Sequence, residues 1–261
     1  FDVIHGFSAA TLFALSVLMI KPIAPMAKYI HTLKSYPKKE RTTLFQFLLN
    51  GMNYITVPTR IYASRLRRIN REKIKVIHSP LNVQQFRPLN KIELKRKYAY
   101  LNNKVIFYYG GVWENKGIDV LLKSLPQIIL QQPDIKLIIA PRYKNVPEIK
   151  KLIKELNISS HIEIIFDIPK IEEYVNLADL VVLPYINLIG TEGNPSCLLE
   201  AMACKTPVVT SDLPELREIF DNLVFLLLSS ISAINTPGSV IVAVTISGVA
   251  RYFMACSAII L

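Results

Sequence analysis

The residues of this chain best suited to hold an anion lie in one stretch, Thr191-Glu192-Gly193-Asn194-Pro195-Ser196-Cys197-Leu198-Leu199-Glu200. Asparagine is a strong helix N-cap and proline a favoured first helical residue, so Asn194 and Pro195 mark a helix start. Ser196 and Cys197 then lie in the first turn, at the positive end of the helix, where backbone N–H groups have no partner within the helix. Glu192 stands just before that end and Glu200 eight residues later. An anion resting on the helix terminus would therefore have a carboxylate on either side. That arrangement suits a nucleotide sugar: amides for the diphosphate, carboxylates for the hydroxyls of sugar and ribose. The ordinary reading of the same residues is an acid favoured by the helix dipole at Glu192 and a solvated helical face at Glu200. The spacing leaves both open.

A second candidate is Phe107-Tyr108-Tyr109-Gly110-Gly111-Val112-Trp113-Glu114-Asn115-Lys116-Gly117. Gly110 and Gly111 follow a β-branched and aromatic run and would let backbone approach a ligand, while Lys116 falls where the next helix begins. An ammonium beside helix N-terminal amides suits a diphosphate. The spacing is neither the dinucleotide fingerprint GxGxxG nor the P-loop GxxxxGK[ST]. Metal chemistry finds no footing: Cys197, Cys204 and Cys256 lack CxxC spacing, and His5, His31, His78 and His161 are far apart and form no HExxH pair.

These residues need elements to position them. From Val105 onward, short apolar runs alternate with longer amphipathic ones, the pattern of βαβ units. Strands are expected at 105–109, 135–140, 161–166, 180–184 and 207–211. Helices are expected at 117–130, 147–156, about 171–178, from Pro195, and over 214–220. Strands apolar throughout predict a parallel sheet covered on both faces, as in doubly wound folds. The earlier part repeats the alternation in shorter form: Asp2 to His5, a helix, Ala27 to Leu33, a helical region, Tyr54 to Pro58, a helix capped by Thr59, and a strand from Lys73. Ser79 to Asn90, with two prolines and no period, reads as an interdomain connection. The expected organisation is thus a partial first domain over 1–79, a linker at 80–90, a ligand-binding domain over 91–221 and a hydrophobic tail over 222–261. For the tail three readings stay open: a buried strand with apolar helices, a membrane-associated segment, or a terminus unrelated to the preceding fold.

Composition bounds the rest. Half of the 261 residues are apolar and the net charge is +11, which fits a globular chain of one large or two ordinary domains. Lys28 to Lys73 holds eleven Lys and Arg against Glu40 and Glu72, whereas Ile74 to Asp221 is nearly neutral. Such a basic segment suits anionic lipid, a phosphorylated acceptor or nucleic acid, or is a solvated face. It carries no nucleic-acid module signature. The opening reads as a strand in mid-domain, and the three cysteines fit a reducing cytoplasm.

TEGNPSCLLEAMACKTPVV closely resembles the E-x7-E region of the group 1 glycosyltransferases (family 4, GT-B fold), and the preceding ADLVVLPY resembles the strand that leads into it. YYGGVWENKGIDVLL is similar to that family's first strand, glycine turn and Lys-Gly segment, and KIKVIHSPLNVQQFRP to its interdomain connection. The resemblance implies an α/β fold of GT-B type, with two Rossmann-like doubly wound parallel-sheet domains, the first incomplete. It implies a retaining, metal-independent hexosyltransferase without a cofactor, which moves sugar from a nucleotide-diphosphate donor to a glycan or lipid-linked acceptor. By the same resemblance Glu192 lies near the donor sugar, Glu200 binds the ribose and Lys116 holds the phosphates. Gly110, Gly111, Gly193, Asn194, Ser196, Cys197 and Leu198 line the donor, and His5 is a contact from the first domain. The chain departs from the family at three places. Gly111 stands where an arginine is frequent, Phe7 where a second histidine completes an HxH pattern, and Lys205 where a glycine usually ends the motif helix. An alternative from another class is a non-catalytic chain that keeps the fold and a basic binding surface.

Overall fold

The computed structural model describes residues 2–7, 11–35, 42–189, 193, 195–220 and 240–243. Their contacts fall into two compact units. The first comprises Phe1–Pro80 together with Asn187–Pro195 and Leu213–Val224, and the second Leu81–Ile186, Ser196–Asp212 and Phe225–Leu261. The grouping is therefore not contiguous in sequence.

The first unit is a parallel sheet of β1 (Val3–Phe7), β2 (Lys28–Thr32), β3 (Tyr54–Val57) and β4 (Ile74–Val76), in sequence order. Each crossover carries a helix: α1 (Thr11–Met19), α2 (Thr42–Leu49) and α3 (Arg60–Arg65). Tyr29, Leu33, Phe45, Leu49, Met52, Ile55 and Tyr62 form its buried core. Thr59 caps α3 as expected, its hydroxyl accepting from the Tyr62 N–H at 3.0 Å. The carboxylate of Glu218 also accepts from the N–H groups of Arg60 (2.5 Å) and Ile61 (3.0 Å). An anion at a helix start is favoured by the dipole. That contact, with the Arg65–Glu215 ion pair, places the helix Pro214–Phe220 in the first unit although the chain reaches it last.

In the second unit, α4 (Lys91–Lys97) leads into β5 (Lys104–Gly110), α5 (Ile118–Gln131), β6 (Ile135–Pro141), α6 (Pro147–Glu155), β7 (Ile162–Ile164), α7 (Ile171–Leu177), β8 (Leu180–Leu183), α8 (Ser196–Ala203) and β9 (Val208–Ser211). The Pro214–Phe220 helix is α9, and β10 (Val240–Ala243) pairs antiparallel with β9. The other pairs are parallel, and the strand order is β10-β9-β8-β5-β6-β7. Residues of β5 and β6 are buried on both faces, as strands covered by helices on either side must be. The order reverses at β5, which pairs with both β6 and β8. An open α/β sheet binds ligands at such a switch point, beyond the carboxyl ends of the strands. The tail residues 221–239 and 244–261 lie outside the described residues, so of the three readings of the tail only β10 is placed.

α8 ends in a Schellman motif. The N–H of Thr206 donates to Ala201 O and that of Lys205 to Met202 O, both at 3.0 Å, with Lys205 in the left-handed region at φ 58. A side chain there costs about 1 kcal/mol relative to glycine. Lys205→Gly is expected to raise the thermal midpoint by roughly 2–4 °C. An unchanged or lower midpoint in a denaturation scan would refute the assignment of strain to this residue.

Candidate active site

The β5 and β8 loops flank the switch point, and both carry residues singled out above. After β5 the chain turns at Gly110, whose φ of +121 is in the region that favours glycine. A Cβ there would stand 3.5 Å from the Sγ of Cys197, so the turn lies against the first turn of α8. Tyr109 fastens the two: its hydroxyl donates to the carbonyl of Cys197 at 2.8 Å, and it also interacts with the carboxylate of Glu200. Burial, then the neighbouring Cys197 and Glu200, push the Tyr109 phenol well above its ordinary value, so it stays a donor.

Lys116 ends a 3-10 turn, Glu114–Lys116, and is 6% exposed. Its ammonium lies 4.8 Å from the centroid of the Tyr185 ring, just beyond β8, a cation–π contact in a desolvated setting. Gly117 follows at φ +68, and a Cβ on it would fall 1.8 Å from the carbonyl oxygen of Pro184. The N–H of Ile186 donates to Asn115 O at 3.0 Å. Thus the glycine and the backbone bond hold the lysine loop against the end of β8, and the ammonium has little freedom.

Burial raises the carboxyl pKa of Glu200 on α8, opposed by its bond to Tyr109. The structure therefore brings together Gly110, Cys197 and Glu200 through Tyr109, and Lys116 with Tyr185, all in the second unit. Leu198 is fully buried, so its side chain is closed to a ligand. Ser196 is exposed at the start of α8. The ring of Trp113 lies over Gly111, two of its carbons 2.4 and 2.5 Å from where a Cβ would be. Gly193, grouped with the first unit, has its N–H engaged by Lys34 O at 3.1 Å. Glu192 and Asn194, including the expected N-cap, lie outside the described residues. His5 stands on β1 of the first unit, its Nε2 2.7 Å from Thr32 Oγ1. The Phe7 ring packs on His5 with centroids 4.0 Å apart. Tyr109, Tyr185 and Trp113 were not singled out by sequence reasoning. Aromatics at strand ends are the available signal, and core packing produces the same signal. Among the described residues no group of three His, Cys, Asp or Glu stands close enough to hold a metal ion.

The second unit thus sets a buried lysine and a helix start at the switch point of its sheet, the place where open α/β sheets hold their ligands. The sequence model of the family described as Glycosyl transferases group 1 matches residues 90–232, and the chain belongs to that family. A glycosyltransferase of Haemophilus influenzae is 32% identical over 120 residues, which are 46% of this chain and 33% of the relative. The phosphatidylinositol N-acetylglucosaminyltransferase GPI3 subunit of Saccharomyces cerevisiae is 21% identical over 151 residues, 57% of this chain and 32% of that protein. The chain thus spans about a third of the length of these curated relatives. Among solved structures, Anabaena HepE in complex with UDP-glucose superposes with a TM-score of 0.72 at 17% identity, covering 84% of this chain and 62% of that one. That likeness shows the fold, which is the α/β GT-B type expected from the sequence.

Proposed function

We propose that this chain carries the donor site of a hexosyltransferase that uses a nucleotide-diphosphate sugar. The observation that supports this reading best is the desolvated Lys116 ammonium in the loop after β5, at the switch point shared with the start of α8. Breaking the glycosidic bond to the diphosphate leaves negative charge on the departing oxygen. A fixed ammonium and helix N–H groups aimed at that charge stabilise the transition state more than the ground state. In this reading these groups, rather than a metal ion, balance the diphosphate. Glu200 takes the ribose hydroxyls, Glu192 lies near the donor sugar, transfer retains the anomeric configuration, and no cofactor takes part. The UDP-glucose held by HepE and the N-acetylglucosamine named for the yeast relative support a sugar donor of this kind. The acceptor is a glycan or lipid-linked sugar.

The test is single-turnover transfer and equilibrium binding with UDP- and GDP-sugars. Glu192→Ala should lower turnover by roughly 10²-fold or more while the variant stays folded. Turnover equal to that of the parent chain would remove Glu192 from the site. Donor binding without any transfer by the parent chain would favour the non-catalytic alternative.

The basic segment 28–73 is proposed to meet the anionic inner face of a membrane. Leu44 and Phe47 of this segment are exposed, as are Lys28, Arg67 and Arg68. Apolar side chains beside cations match an anionic interface, at ~1 kcal/mol per basic residue near the surface. No helix among the described residues is long and apolar enough to cross a membrane. Co-sedimentation with phosphatidylglycerol vesicles, lost at high salt and absent with phosphatidylcholine, is the expected result. Equal recovery with both lipids would contradict the proposal.

A further inference from the structure

Tyr108 and Tyr109 are consecutive near the carboxyl end of β5, so their side chains leave opposite faces of the sheet. Both are buried, and an apolar ring would serve that burial equally well. A buried hydroxyl destabilises unless it is bonded, and each of these is bonded to a different part of the site's frame. The Tyr108 hydroxyl donates to the carbonyl of Gly111 in the glycine turn. The Tyr109 hydroxyl donates to the carbonyl of Cys197 at 2.8 Å and bonds the Glu200 carboxylate.

The attachment between β5 and α8 runs both ways. The Cys197 thiol donates to the carbonyl of Tyr109, Sγ to O 3.6 Å, and the phenol answers with its bond to the carbonyl of Cys197. The Tyr109 ring stacks on Phe107 with centroids 4.9 Å apart and planes 11° from parallel, which leaves it little freedom to turn. Glu200 stands one turn beyond Cys197 on α8, so a single phenol reaches both. That phenol has one proton for two acceptors. Its bond to an ionised carboxylate is the stronger, and it opposes burial, which raises the Glu200 pKa. The other ionisable groups around this pair are Cys197 and Cys204 near the two ends of α8, Glu172 on the neighbouring α7, and Tyr185 beyond β8. Elsewhere on α7, Glu173 bonds Lys97 and Tyr98, and Tyr174 packs on Tyr98; β9 brings no ionisable side chain.

We propose that Tyr109 is a positioning residue of the donor site, its hydroxyl aiming the Glu200 carboxylate and fixing the first turn of α8 beside the glycine turn. The inference rests on the donor-site reading above, in which Glu200 receives the ribose hydroxyls. A glutamate side chain has several rotamers, and a bond from a fixed phenol selects among them before the ligand arrives, so less ordering remains on binding. The same bond favours the ionised carboxylate, the form that only accepts. As pH falls Glu200 takes up a proton and its capacity to accept from ribose declines. Without the phenol this happens at higher pH, because a bond that favours the anion is gone.

Calorimetric titration of the full chain with UDP, GDP and inorganic pyrophosphate, from acid to neutral pH, separates this role from simple packing. Tyr109→Phe keeps the ring and its stacking. It should weaken UDP and GDP by roughly 5- to 20-fold near neutral pH and pyrophosphate, which has no ribose, far less. The acid limb of nucleotide affinity should move to higher pH in this variant; protonation of the ligand's phosphates is common to all variants and leaves that comparison intact. In a Glu200→Ala background, where the nucleoside contact is already lost, Tyr109→Phe should cost little further affinity. Tyr108→Phe is the matched loss of a buried hydroxyl on the same strand, and it should lower the thermal midpoint without moving the acid limb. Additive losses from Tyr109→Phe and Glu200→Ala overturn the positioning role, as does an acid limb moved as far by Tyr108→Phe. If Glu200→Ala weakens UDP and Tyr109→Phe does not, the donor site stands and the positioning role falls. If the parent chain binds neither nucleotide nor pyrophosphate, both fall.

Discussion

Lys116→Ala is expected to weaken binding of a nucleoside diphosphate by about 1.5–3 kcal/mol, roughly 10- to 150-fold, and to lower the rate of transfer by a further roughly 10²-fold. The size follows from the setting. An exposed lysine on a phosphate is screened by water and worth little, but this ammonium is 6% exposed and lies against the Tyr185 ring. The protein has already desolvated it, and the loop that carries it is fixed by the Ile186–Asn115 backbone bond. Little reorganisation remains when the diphosphate arrives. Isothermal calorimetry with UDP and GDP checks the first number and single-turnover transfer the second. Full affinity in a variant with an unchanged thermal midpoint would remove Lys116 from the phosphate site.

Gly117→Ala should cost more in stability than any other single methyl group added to this loop. Alanine at φ +68 pays about 1–2 kcal/mol for the left-handed conformation. The added Cβ would also fall 1.8 Å from the Pro184 carbonyl oxygen and 2.9 Å from its carbon, an overlap that only backbone movement relieves, at ~1–3 kcal/mol. The sum, about 2–5 kcal/mol, lowers the midpoint by roughly 4–20 °C. Because the displaced segment carries Lys116, donor affinity should fall in the same variant. A midpoint within a degree of the parent's would show that the loop is not pinned to β8. Gly110→Ala offers a comparison: its φ is also positive, but a Cβ there meets only Cys197 Sγ, at an ordinary 3.5 Å. It should lose stability through backbone strain alone.

Much of the second unit was readable from local patterns. The strands expected at 105–109 and 135–140 appear as Lys104–Gly110 and Ile135–Pro141, and the helix expected at 117–130 as Ile118–Gln131. Apolar periodicity and glycine or proline punctuation act over a few residues, so a single sequence shows them. The glycine usual in the family at position 205 marks the same place, where Lys205 takes the left-handed conformation. Two things were less legible. The helix Pro214–Phe220 was expected, but its attachment to the first unit was not, since it depends on Glu218 and Glu215 meeting α3 about 150 residues away in the chain. Tyr109 looked like one more apolar strand residue, and only the approach of α8 turns its hydroxyl into the link between Cys197 and Glu200.

The sequence by itself determined the kinds of element, their order and the chemistry each loop can offer: glycines after β5, a lysine before α5, a glutamate in α8. These follow from backbone sterics, capping and hydrophobic period, which are local. Tertiary structure alone decided that β5 lies between β6 and β8. That strand order puts the lysine loop and the start of α8 at the same end of the sheet and seats Gly117 against Pro184. Strand order is set by which apolar faces pack together across long sequence separations, and no short segment carries that information.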